Sequence, residues 1–311
     1  MKIEIYSPQT IHEIGQRPNQ EDSLFPLLAT EKDRMFILCD GMGGHEKGEV
    51  ASQTVCDSMS CFINKNMKGC FLSDDLFHDA VAETCRNLDK LGDNSIRKMG
   101  TTMAFVYLHE KGAFMAHIGD SRIYHVRSSE HKILYKSRDH SLVYDLFMAG
   151  EITQEEMRTY SRKNVITRAL MPQLEEKPQI DITHTTDILQ GDYFYLCSDG
   201  MLEHMDDDEL VKILTDEEMS DEGKKEVLIK ETSGNSDNHS AFLIHIANVT
   251  DDDGLVASNE QNVPYNAILL EKPSKRDYVV KRDILNFVNN KYLLMVLLCL
   301  ILSLFLFVII I

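Results

Sequence analysis

Residues 292–311 read YLLMVLLCLILSLFLFVIII, twenty residues without a charge. As a helix such a run rises about 30 Å, the thickness of a bilayer's hydrocarbon core. Apolar on every face, it offers no polar side to water, so a transmembrane helix is the expectation and a buried core helix the alternative. Immediately upstream, residues 272–291 hold six Lys or Arg against two Asp, a net +4. Basic flanks stay on the cytoplasmic side, and they suit anionic headgroups. The pattern predicts a single-pass protein, C-terminally anchored, with its large domain in the cytoplasm. Between domain and anchor, residues 248–291 form an acidic-then-basic linker whose first part, 248–271, holds a Gly, a Pro and three consecutive aspartates, Asp251–Asp253. The triplet reads as a solvated tether rather than a cation site.

With the overall charge at −18 and residues 292–311 uncharged, the +4 segment leaves −22 for residues 1–271. That excess of carboxylate argues against nucleic acid as a partner, since phosphate backbones call for clustered Lys and Arg. The seven cysteines form no CxxC pair and no ligand-like spacing with histidine, and several sit in apolar runs. They read as small buried hydrophobes in a reducing compartment. The N-terminus, MKIEIYSPQT, has no apolar core of the kind a signal peptide needs.

Residues 1–247 mix two periodicities. Strand-like apolar runs occur at 35–39, 101–108, 113–118, 122–126, 193–197 and 241–246. Helical spacing occurs at 48–65 and 75–91, and more briefly near 141–149, 207–214 and 222–231. Three of the strand runs are crowded between 101 and 126 with short turns between them, which predicts a meander and largely antiparallel sheets. With long helices outside the strand clusters, the expectation is an α+β layered domain.

Several loops place an acid just past or just before an apolar strand: FILCDG (36–41), YFYLCSDG (193–200) and GNSDNHS (234–240). A strand end holds such a carboxylate rigidly and aims it into a shared cleft, while the following glycine permits a tight turn. One Asp-Gly alone is more often a plain turn. Three acidic junctions in one domain without Cys/His pairs favour a hard-cation site, whose oxygen ligands suit Mg2+ or Mn2+ and not zinc.

An ordered set of segments extends the pattern: RPNQED (17–22), CDGMGGHEKGEVAS (39–52), GTT (100–102), HIGDSRIYHV (117–126), RDHSLV (138–143), NVITRAL (164–170), CSDGM (197–201) and SDN (236–238). Over residues 3–247 the chain resembles the metal-dependent protein serine/threonine phosphatases, the type-2C or PPM family, and especially its bacterial branch. The resemblance implies a central sandwich of two mainly antiparallel β-sheets flanked by helices on both sides, an α-β-β-α arrangement, with the active site at one end. It implies two Mn2+ or Mg2+ ions per site and a third, weaker one in some members. Position by position, Asp40 would bridge both metals, the Gly41 carbonyl would reach the first, and Asp199 and Asp237 would complete the second. Glu21 and Asp22 match the acidic pair that holds metal-bound water, and Arg17 the arginine that grips the substrate phosphate. Asp120 matches the third-metal position, with a structural salt bridge to Arg122 as the alternative. Residues 137–178 correspond to a mobile flap beside the cleft.

The chain departs from the family pattern at Gln20, where Asn is usual, at His117, where Asn is common, and at His239 and Ser240 after Asp-Asn. Met42 takes the place of a histidine proposed as general acid in eukaryotic members, and His45, three residues further on, does not inherit that role. The function implied is hydrolysis of phosphoserine and phosphothreonine in proteins by a metal-activated water, opposing a serine/threonine kinase. Phosphorylated proteins, the kinase with its targets, and membrane lipid are the partners. The rival is a catalytically weak phosphoprotein-binding membrane adaptor of the same fold; a phosphatase dedicated to one regulatory factor would share the chemistry and differ only in substrate.

Overall fold

The structure is a computed structural model describing residues 1–43, 47–69, 71–92 and 99–250. The expectations for the linker beyond residue 250, for the apolar run 292–311 and for His45 fall outside the described residues. Among the described residues no helix is long and apolar enough to cross a membrane. Contacts divide the chain into two units, of which the first takes in Met1–Asp145 and Glu155–Leu255. The described part of the second, Leu146–Gln154, takes in the end of a helix and the turn after it, in which Gly150 and Glu151 donate back to Phe147 and Leu146 carbonyls.

The first unit contains two six-stranded antiparallel sheets. One runs β1 (Lys2–Ile5), β12 (His239–Thr250), β11 (Tyr193–Cys197), β8 (Arg122–Arg127), β9 (Lys132–Lys136), with β2 (Gln9–Glu13) also on β12. The other runs β10 (Asp181–Thr185), β7 (Gly112–Ile118), β6 (Met103–His109), β4 (Met35–Met42), β3 (Asp22–Phe25), with β5 (Gly100–Thr101) on β4. Central strands are buried on both faces, and successive side chains divide between two cores. Along β4, Met35, Ile37 and Cys39 join one cluster while Phe36 and Leu38 join another. Along β11, Phe194 and Leu196 enter the cluster shared by the two sheets, while Tyr193, Tyr195 and Cys197 face outward.

Helices cover both outer faces. Helices α1 (Lys47–Asn66) and α2 (Asp74–Leu91) bury Val55, Met59, Phe77 and Leu88 with β4, β6 and β7. Helices α5 (Asp207–Leu214) and α6 (Asp221–Thr232) bury Leu210, Leu214 and Leu228 with β8, β11 and β12. Capping is local and side-chain driven: Ser73 accepts from Leu76 N–H, Ser220 from Gly223 N–H, and Asp206 forms a capping box with Glu209. The result is the expected four layers.

The meander expected at 101–126 is corrected. Strands β6 and β7 form a hairpin, but β8 belongs to the opposite sheet. The chain changes sheets at Gly119, which has φ +101° and whose missing Cβ would lie 2.5 Å from the Thr102 side chain. Residues 137–178 contain α3 (Leu142–Met148), α4 (Gln154–Thr159) and an isolated bridge between Ser141 and Ile166.

Candidate active site

Strand pairing brings the acidic residues together. In register, β3 and β4 place Asp22 opposite Asp40. Beyond Asp40 the strand continues to Gly41, whose N–H donates to Glu21 O at 3.1 Å. Glycine is required there, because a Cβ would meet the Gly48 carbonyl oxygen at 2.2 Å and that of Glu21 at 2.5 Å. The Asp40 backbone is clamped from the other side, its N–H donating to Thr102 Oγ1 at 2.9 Å and its carbonyl accepting from Thr102 N and Thr101 Oγ1. Asp199 opens a short 3-10 turn (Asp199–Leu202) directly after β11, and Asp237 lies just before β12. Those strands pair with each other, so both carboxylates arrive at one end of the sandwich.

Electrostatics tie the set together. Burial first, then the charges of Asp22, Asp199, Asp120 and Asp237, push the Asp40 carboxyl well above the usual carboxylate range. Burial, opposed by hydroxyls of Ser240 and Ser198 and reinforced by Asp199 and Asp237, brings Asp22 to about 7. Asp199 rises to about 6, from burial and then Asp237, while a hydrogen bond from Asp40 works the other way. Asp120 is raised by burial, Asp199 and Asp139, and Glu21 by burial, although Arg17 opposes the shift there. Carboxyls that raise one another's pKa in this way share a space where negative charge is uncompensated. Asp22 Oδ1 and Asp120 Oδ1 are buried with no hydrogen-bond partner among the described residues. Orphaned hard oxygens in a ring of carboxylates fit a divalent cation such as Mn2+ or Mg2+.

Every described candidate from the sequence therefore converges, with differences in detail. Arg17 Nη2 donates to Asp237 Oδ2 at 2.6 Å, so the predicted phosphate-gripping side chain and a predicted metal ligand form an ion pair. Asp22 is 3 % exposed and accepts from Ser198 Oγ at 2.9 Å. The alternative pairing of Asp120 with Arg122 is not made: Arg122 forms a two-pronged bond with Asp139, at 2.7 and 2.6 Å. The family departures are absorbed locally. Gln20 accepts from Asp22 N–H, His239 Nδ1 bonds the Asp237 carbonyl, and Ser240 bonds His12 and Ser198.

Sequence reasoning missed the residue that joins these pieces. Asn238, 5 % exposed, accepts from Glu21 N–H at 2.8 Å and donates to the carbonyls of Ile14 and Asn19 at 2.8 and 3.0 Å. It stitches the RPNQED segment to the Asp237 loop. Its place inside the SDN segment was the available signal. A surface groove of about 650 Å³, lined by His131, Ile133, Val211 and Thr215 among others, lies apart from these carboxylates.

The model of the family described as protein phosphatase 2C matches residues 9–230. The chain belongs to that family. The chain is 32% identical over 237 residues to protein phosphatase PhpP of Streptococcus pneumoniae, covering 75% of this chain and 94% of that one. Among solved structures, serine/threonine phosphatase Stp1 from Staphylococcus aureus superposes with a TM-score of 0.66 at 28% identity, over 79% of this chain and 97% of that one. The catalytic domain of the phosphatase PstP in complex with two manganese ions gives 0.62 at 25% identity, over 79% of this chain and all of that one. This protein phosphatase 2C-type chain is a serine/threonine protein phosphatase, and the carboxylate ring at the end of its sandwich is its candidate active site.

Proposed function

We propose that the carboxylate ring holds two Mn2+ or Mg2+ ions and hydrolyses phosphoserine and phosphothreonine in proteins. The observation that carries this is that Asp22, Asp40, Asp120 and Asp199 are brought together and raised by burial and by neighbouring carboxylates, with one buried oxygen each of Asp22 and Asp120 left without a partner among the described residues. Bound divalent ions supply an activated water near neutral pH and offset charge on the phosphoryl group. Asp40, rigidly clamped at its backbone, is the shared ligand. The Gly41 carbonyl would reach the first ion, Asp199 and Asp237 would complete the second, Glu21 and Asp22 would hold metal-bound water, and Asp120 is the position for a third ion. Arg17 has five N–H donors; the Nη2 that pairs with Asp237 leaves others for phosphate oxygens, which a planar guanidinium can grip two at a time.

Residues 1–247 form the phosphatase domain in this proposal, with 137–178 as a flap over the substrate. The basic stretch 272–291 and the apolar run 292–311 hold the domain at the cytoplasmic face of a membrane, near a serine/threonine kinase and its targets. What supports that location is the sequence of the segment alone.

The test is hydrolysis of a phosphothreonine peptide by the full chain in detergent, with Mn2+ and with EDTA. Turnover with Mn2+ that stops in EDTA is expected; turnover unaffected by EDTA would overturn the metal mechanism. For location, alkaline carbonate should leave the full chain in the membrane pellet and release a chain ending at residue 271. Release of both would refute the anchor.

A further inference from the structure

His117 was one of the departures from the family pattern, and the mechanism does not use it. It is the last but one residue of β7, directly opposite Asp181 of β10. His140 reaches the same place from the loop after β9, where its N–H donates to Gly119 O and its Nδ1 accepts from Gly119 N–H at 3.2 Å. One donor atom from each of His117, His140 and Asp181 lies within 4.8 Å of the other two. The two imidazoles are almost fully buried, at 2 and 3 % exposure, while the Asp181 side chain, 45 % exposed, opens the cluster to solvent.

The hydrogen bonds assign the tautomers. His117 Nε2–H donates to the Arg138 carbonyl at 2.7 Å, leaving Nδ1 with a free lone pair; that atom is buried and has no partner among the described residues. A ring N–H given to a backbone carbonyl is the usual outer support of a metal-ligating histidine. His140 is set the other way: with Nδ1 accepting from Gly119, its proton is on Nε2 and goes to Asp181 Oδ2 at 3.2 Å. Burial lowers the proton affinity of both rings, so both are neutral and able to ligate near pH 7.

We infer that His117, His140 and Asp181 form a second metal site, separate from the carboxylate ring and selective for a borderline-soft ion such as Zn2+. Two imidazoles and one carboxylate are a zinc donor set, with an open position for water, whereas the all-oxygen ring suits harder ions. Occupation has a consequence for the phosphatase. The two rings stack at 4.8 Å with 16° between their planes, so their lone pairs do not converge until His140 turns. Ligation through His140 Nε2 also displaces that proton, and a ring protonated at Nδ1 instead meets the Gly119 N–H donor head-on. The Gly119–His140 bond then breaks, loosening the turn that carries Asp120. Zn2+ bound here should inhibit turnover, an effect that rests on the proposed role of the carboxylate ring; the site itself does not. Arg168 Nη1, 3.4 Å from both His140 Nε2 and Asp181 Oδ1, is the cation that Zn2+ must displace.

Co2+ titration of the full chain tests this, because a four-coordinate N/O site gives intense visible bands and a six-coordinate oxygen site only weak ones. Intense bands are expected in the wild type and in Asp40→Asn, lost in His117→Asn and Asp181→Asn, and removed by added Zn2+. Arg168→Gln should lower the Co2+ concentration needed at least threefold. Absence of intense bands in the wild type, or bands abolished by Asp40→Asn, would overturn the site. If His117→Asn does not fold, the half-exposed Asp181→Asn gives the same readout. With Mn2+ saturating, His117→Asn should need at least tenfold more Zn2+ for half-inhibition. Equal inhibition beside the expected spectra would refute the coupling while leaving the site. Spectra as expected in a chain without phosphatase activity would instead count against the proposed function.

Discussion

Asp22 and Asp40 stand opposite each other on adjacent strands β3 and β4, and both carboxyls are driven upward, Asp22 to about 7. A directly opposed like-charge pair destabilises a sheet unless something offsets it. Here the strands are held together by two apolar cores.

That strain sets a pH dependence. The folded-state pKa values of Asp22 and Asp199, about 7 and about 6, lie above the ordinary value of 3.8, so between pH 4 and 7 these two groups bind more protons in the folded chain than in the unfolded one. Their contribution to the stability of the metal-free protein should therefore fall as pH rises from about 4 to about 7. The Tm difference between wild type and Asp199→Asn, measured in EDTA across that range, checks the sign. Saturating Mn2+ should raise Tm more at pH 7.5 than at pH 5, because the ion binds the deprotonated carboxylates.

Asn238→Ala should destabilise the domain by about 1–3 kcal/mol in urea unfolding, since it strands the part-buried Glu21 N–H and two carbonyls. It should also raise the Mn2+ concentration for half-maximal activity, because Glu21 and the Asp237 loop lose their common tie. A change in stability with no change in the Mn2+ requirement would show that the tie does not serve the site.

Gly41→Ala and Gly234→Ala form a matched pair. A Cβ at Gly41 runs into two backbone oxygens within 2.5 Å, whereas at Gly234 it meets nothing within 4 Å. The first should abolish activity or folding, and the second should leave Tm within a few degrees, as is usual at open surface positions. Expression yield, Tm and turnover of the two variants decide it.

Phe77 is fully buried in α2, its ring 5.2 Å from that of Phe105 and 4.9 Å from that of Phe114. Phe77→Ala should cost about 3–5 kcal/mol in urea unfolding, the loss expected for a large core side chain. A loss under 1 kcal/mol would mean that α2 is not clamped to the sheet as described.

Much of this was legible in the sequence where burial is two-sided. The runs at 35–39, 193–197 and 241–246 became central strands β4, β11 and β12, and the spacing at 207–214 became α5. Strands β1, β2, β3, β9 and β10 went unread because each is only four or five residues long and mixes polar with apolar side chains. Pairing with longer neighbours, a long-range property, makes them strands. Likewise the strand ends at Asp40 and Asp199 announced themselves, but the partners of the site did not. That Arg122 chooses Asp139 over Asp120, or that Asn238 bridges three segments, depends on contacts up to 224 residues apart in the chain.

The central claim is that Asp40 is the ligand shared by both catalytic ions. Turnover of a phosphothreonine peptide by Asp40→Asn at saturating Mn2+ tests it most directly. The variant keeps the size of the side chain and the backbone clamp made by Thr101 and Thr102 while removing the charge. If Asp40 is that ligand, kcat falls at least about a thousandfold, roughly 4 kcal/mol of lost transition-state stabilisation, in a protein that remains folded. A folded Asp40→Asn enzyme within tenfold of wild type would contradict it.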